Sequence, residues 1–133
     1  MSAVTLGVGA SVALDARVSV PAAARAGGVL CHPHPLYGAA VAAAVAGATP
    51  VAGLALIAPP ARIVSVTPLA VSGPVLIVIG SEDQYCPPAA LEAMRGAVPS
   101  STITVIEGAD HFFVGALEAL GAAVEGWAAA LAP

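Results

Sequence analysis

Hydrophobic positions along this chain fall into short runs separated by glycine and proline. Val4–Val8 and Ala13–Val20 are rich in β-branched residues and both predict strands, the second with partial alternation at Val12, Leu14, Ala16, Val18 and Val20. Pro21–Gly28 is an Ala/Gly turn region. Gly28-Val29-Leu30-Cys31 is a continuous apolar run, as in a strand covered on both faces. It leads into His32-Pro33-His34-Pro35, where two prolines forbid both helix and inner strand. Gly38–Ala48 predicts an Ala-rich helix, Leu54–Ile57 a buried strand stopped by Pro59-Pro60, and Ala61–Gly73 a loop. Pro74–Ile79 is the clearest strand. Pro87 and Pro88 open a helix reaching about Ala97, since proline suits a first helical turn. Thr102–Ile106 predicts the next strand and Phe113–Leu131 the closing helix.

From Gly28 onward strands and helices alternate. That order predicts a three-layer α/β architecture with a mostly parallel sheet. The 133 residues suit one domain, expected to span 1–133.

Composition narrows the class. With 59% hydrophobic residues and net charge −4, the chain buries enough surface to exclude disorder. Its four basic residues are all arginine, which leaves no basic patch and excludes nucleic acid as a partner. Two cysteines are too few for a disulfide framework. A mean hydropathy of +0.94 raises the question of a membrane span. Phe113–Ala132 carries Glu118 and Glu125, each costing ~2.5–3.5 kcal/mol at mid-bilayer. Gly38–Leu56 is broken by Gly47, Pro50 and Gly53. Met1-Ser2-Ala3-Val4-Thr5 lacks the basic region of a signal peptide. The expectation is a soluble cytoplasmic protein without a membrane partner. Part of its apolar surface is expected to be covered in a homo-oligomer, because a small domain hides a smaller share of its surface.

In parallel sheets the ligand crevice lies beyond the carboxyl ends of the strands. Cys31, His32 and His34 follow the third predicted strand, Glu82 and Asp83 follow Pro74–Ile79, and Asp110 and His111 follow Thr102–Ile106. All three histidines thus fall at strand exits on one edge. Gly9-Ala10-Ser11-Val12-Ala13 imitates a nucleophile turn, but it lies between two predicted strands with no helix after it.

The strand leading into Cys31-His32-Pro33-His34-Pro35-Leu36-Tyr37-Gly38 is one of several matching pieces. The others are Leu56-Ile57-Ala58-Pro59-Pro60, Val78-Ile79-Gly80-Ser81-Glu82-Asp83-Gln84-Tyr85-Cys86-Pro87 and Gly108-Ala109-Asp110-His111-Phe112-Phe113. Together they resemble the α/β-hydrolase superfamily, and within it the dienelactone-hydrolase-like proteins with a His-Pro-His-Pro-Leu-Tyr-Gly loop. The resemblance covers nearly the whole chain. It implies that Asp83 is a triad acid, that His111 is the triad base, and that residues 32–38 offer a backbone N–H to an oxyanion. The family's Gly-x-Ser-x-Gly or Gly-x-Cys-x-Gly elbow has no counterpart here. The helix that normally follows the elbow follows the His-Pro-His-Pro loop directly. The architecture expected is therefore a truncated α/β-hydrolase-like fold lacking a central block.

A base without a nucleophile has nothing to activate, and three readings compete. In the first, His32, His34 and His111 hold zinc or another divalent transition metal. His32 and His34 lie two apart and share a side in extended backbone, and Asp83 or Asp110 adds support. Metal-bound water then attacks an ester, lactone or phosphoester, with no organic cofactor. In the second, Cys31 attacks in a Cys31–His111–Asp83 triad, its thiolate favoured by the adjacent His32. In the third, the chain is an inactive oligomeric remnant or binding module whose exposed sheet edges are covered by association. Tyr37 either donates a hydrogen bond to a developing oxyanion or packs against the following helix. Cys86 packs at a helix start, Phe112 and Phe113 anchor the last helix, and Trp127 is core or interface.

Overall fold

The structure, a computed structural model, describes residues 2–8, 12–18, 38–48, 51–62 and 73–131. In chain order the elements are β1 (Ser2–Val8), β2 (Val12–Val18), α1 (Gly38–Ala48), β3 (Leu54–Ile57), β4 (Val75–Gly80), α2 (Pro88–Ala97), β5 (Ser101–Ile106) and α3 (Leu117–Ala129). The predicted strand Gly28–Cys31, the loop at 32–37 and segment 63–72 lie outside the described residues.

The unbroken Val-Leu-Ile-Val-Ile run of β4 suits a strand covered on both faces, and every residue of β4 is buried. It is the middle strand, paired in parallel with β3 on one side and β5 on the other. Alternation divides its side chains between two apolar layers. Val75, Ile77 and Ile79 join Leu54 and Leu56 of β3 in one cluster, whereas Leu76 and Val78 join the other.

Helices supply the remainder of each layer. Ala39, Ala42 and Ala46 of α1 recur at helical spacing and pack into the first cluster with Met94 of α2. Methyl-sized side chains allow α1 to lie close to the sheet. Leu120, Ala123, Val124 and Trp127 form an i, i+3, i+4, i+7 stripe on α3 that covers Leu76 and Val78. The sheet is thus sandwiched between α1 with α2 and α3, as the alternation predicts.

β1 and β2 form a separate antiparallel ribbon registered from Ser2↔Val18 to Val8↔Val12. A strand and not a helix therefore follows Ser11, so the Gly9–Ala13 imitation lacks the turn that would expose a nucleophile. The closing helix starts later than its apolar pattern suggests. Phe113 and Gly115 adopt left-handed backbone, with φ 53° and 75°, which cannot continue a right-handed helix, so α3 begins at Leu117. Among the described residues no helix is long and apolar enough to cross a membrane.

β4 ends on Gly80 for a steric reason. A Cβ there would collide with the carbonyl of Ala109, whose backbone crosses the end of the strand. The same Ala109 oxygen accepts the N–H of Glu82 at 3.0 Å. A Gly80→Ala substitution is expected to destabilise the fold by about 2 kcal/mol, within the usual range for overpacking. Gly96→Ala, in α2 where a Cβ meets nothing within 4 Å, should stabilise by about 0.5–1 kcal/mol. Urea midpoints measure both, and a Gly80→Ala protein as stable as the parent contradicts the close approach.

Candidate active site

Parallel pairing places the carboxyl ends of β3, β4 and β5 side by side. Each exit turns sharply. After β3, Ala58 takes a φ of 45° while its N–H donates to the Val78 carbonyl at 2.8 Å, and Pro59-Pro60 bar further strand. After β4, the Asp83 N–H returns to the Gly80 carbonyl at 3.2 Å. After β5, the Gly108 N–H donates to Ser81 Oγ at 2.7 Å and the Ser81 N–H donates to the Ile106 carbonyl at 3.0 Å. These bonds stitch the second exit to the third.

The stitched exits bring Asp83 and His111 together. His111 Nδ1 lies 2.9 Å from Asp83 Oδ2. The other carboxylate oxygen, Oδ1, accepts the Tyr85 N–H at 2.8 Å. The side chains are 2% and 0% exposed for His111 and Asp83, so water does not compete for this pair. A carboxylate can only accept, which selects the tautomer with its proton on Nδ1 and makes Nε2 the basic nitrogen. The Tyr85 ring meets the imidazole edge-on at 4.7 Å and the Phe112 ring does so at 5.3 Å, which limits rotation of the base.

Other candidates settle differently. Asp110 does not orient the imidazole: its Oδ1 accepts the N–H groups of Phe112 and Val114, at 3.0 and 3.1 Å, and so shapes the turn after His111. Phe113 is buried against the α3 layer, but Phe112 is exposed and anchors nothing there. That inversion follows from the left-handed backbone at Phe113. Cys86 packs in the first core cluster just before α2, as its position suggests. Burial, and then the nearby Asp83 carboxylate, push its thiol from 9.0 up to about 11.

Cys31, His32, His34 and Tyr37 lie outside the described residues. Among the described residues no group of three or more His, Cys, Asp and Glu side chains is placed to hold a metal. Three contributors escaped the sequence reading. Tyr85 supplies both an N–H to Asp83 and a ring to His111, Ser81 bridges two strand exits, and Gly80 clears space for the loop bearing His111. Only the Asp-x-Tyr spacing offered a signal, because an aspartate commonly accepts the N–H two residues on.

Among solved structures, the chain is similar to an alpha-beta serine hydrolase homologue from Coxiella burnetii. They share 33% identity with a TM-score of 0.58, over 68% of this chain and 45% of that one. The chain therefore spans about half the length of that structure. No family model matches the chain, and no curated protein matches it. The sandwiched parallel sheet matches a truncated α/β-hydrolase-like fold.

Cys86 should behave as a structural thiol. With its pKa near 11, only about one thiol in a thousand is ionised at pH 8. Iodoacetamide at that pH is expected to leave Cys86 unmodified in the folded protein and to label it in urea, as mapped by mass spectrometry. Between pH 9 and 11 the unfolded chain loses this proton before the folded one does, so the thiol's contribution to stability falls as pH rises through that window. Equal labelling rates in folded and unfolded protein contradict the assignment.

Proposed function

We propose that this chain is a hydrolase of esters or chemically similar substrates such as lactones and phosphoesters, with His111 as general base and Asp83 as the group that orients it. The observation that carries this reading is the buried 2.9 Å contact between Asp83 Oδ2 and His111 Nδ1 at the carboxyl edge of a parallel sheet. A base held on one nitrogen by a carboxylate exchanges protons through the other. The similarity to a serine hydrolase homologue supports the same division of labour with a side-chain nucleophile.

In this chain the proposed nucleophile is Cys31. His111 Nε2 takes the thiol proton, and the thiolate forms a bond to the ester carbonyl carbon. Tyr37 and the backbone of the 32–38 loop are proposed to stabilise the oxyanion. Collapse of the tetrahedral species breaks the bond to the alcohol oxygen, which leaves with the proton from His111. Water, deprotonated by the same Nε2, then hydrolyses the thioester and restores the thiol.

The second reading is water activated by zinc or another divalent metal on His32, His34 and His111. The Asp83–His111 pair also suits it, because metal-binding imidazoles commonly donate their other N–H to a carboxylate.

Hydrolysis of p-nitrophenyl acetate tests both. His111→Ala should lower turnover about a thousand-fold or more, and Asp83→Asn, which disturbs the tautomer, by about 10²–10⁴. Cys31→Ala should abolish thioester formation, while 1,10-phenanthroline leaves the parent rate intact. The converse result, loss with chelator and full activity in Cys31→Ala, selects metal-bound water. Undiminished activity in His111→Ala overturns the proposal altogether, as does a parent protein that hydrolyses nothing.

A further inference from the structure

Four large hydrophobic side chains are exposed among the described residues. Three of them, Phe112 at 55%, Val114 at 76% and Leu117 at 67%, lie between His111 and the first residue of α3. Single exposed apolar residues are ordinary on any surface. Three within one short segment, directly after the proposed base, are not explained that way.

The segment is held in shape. Asp110 Oδ1 accepts the N–H groups of Phe112 and Val114, and the Ala116 N–H donates to the Phe113 carbonyl at 2.9 Å. The left-handed backbone at Phe113 places its own ring in the core while its two neighbours are exposed. Phe112 also contacts the imidazole, with ring centroids 5.3 Å apart and planes at 88°. An exposed apolar surface is thus continuous with the base. Its charge is selective as well: residues 107–118 carry Glu107, Asp110 and Glu118 and no Arg or Lys. A substrate bearing its own carboxylate would be repelled there, whereas a neutral hydrocarbon chain would not.

We infer that Phe112, Val114 and Leu117 form a docking shelf for the hydrocarbon part of the substrate, and that the substrates are neutral esters with an apolar acyl or alkyl chain. The chemical step rests on the hydrolase reading, but binding to the shelf does not.

N-propyl amides of acetic, butyric and hexanoic acid are uncleaved isosteres that separate the two. Dissociation constants from NMR titration should fall about three-fold or more with each added pair of methylenes, below the ~15-fold of complete burial. The trend should persist in His111→Ala. It should vanish in the double variant Phe112→Ser/Leu117→Ser, with Val114→Ser weakening it on its own. These exposed positions let the variants keep the parent's circular dichroism spectrum. Affinity independent of chain length, or a trend unchanged in the double variant, overturns the shelf. So does tighter binding of the mono-succinyl amide, which carries a carboxylate, than of the butyryl amide. A parent dimer that the double variant dissociates in sedimentation also overturns it, by assigning the surface to a second copy. Chain-length-dependent binding without ester hydrolysis keeps the shelf and removes the hydrolase reading.

Discussion

A single buried hydrogen bond between side chains 28 residues apart organises the carboxyl edge of this molecule. Neither Asp83 nor His111 could be covered alone without a large desolvation cost. Each is covered because the other meets it, and because the Tyr85 N–H meets the remaining carboxylate oxygen. The pair requires β4 and β5 in parallel register, with Gly80 opposite Ile106, and a loop that crosses the end of β4 over a glycine. Removing one member would leave a buried polar group without its partner, a loss of about 3–5 kcal/mol for pairs of this kind. The same constraint that stabilises the edge fixes a base in one orientation.

The apolar runs carried most of the architecture. α1 and β3 occupy the predicted spans, and β4 and β5 differ by a residue at an end. These elements are legible because a strand buried on both faces must be a continuous apolar run and because proline punctuates its neighbours. The start of α3 was not legible. Left-handed backbone at an aromatic residue such as Phe113 is dictated by the Asp110 bonds and by burial of the ring, not by local preference.

Within the site, strand-exit position singled out Asp83 and His111 from composition that is otherwise poor in polar groups. The roles of Asp110 and Phe112 were misread because both depend on which way one turn faces. Ser81 and Gly80 act only through tertiary contacts with the loop after β5, which no local pattern encodes. The sequence has no Gly-x-Ser-x-Gly turn, so an oriented base is present without the family's usual nucleophile. This combination makes the identity of the attacking group, and not the existence of the base, the open chemical variable.

The tautomer of His111 reports on the pair without reference to any substrate. Long-range nitrogen–proton correlation spectra on uniformly ¹⁵N-labelled protein distinguish a proton on Nδ1 from one on Nε2. Orientation by Asp83 requires the Nδ1–H form in the neutral imidazole, shifting toward a mixture in Asp83→Asn. A neutral His111 carrying its proton on Nε2 in the parent protein would contradict an Asp83 carboxylate that holds the base for proton transfer.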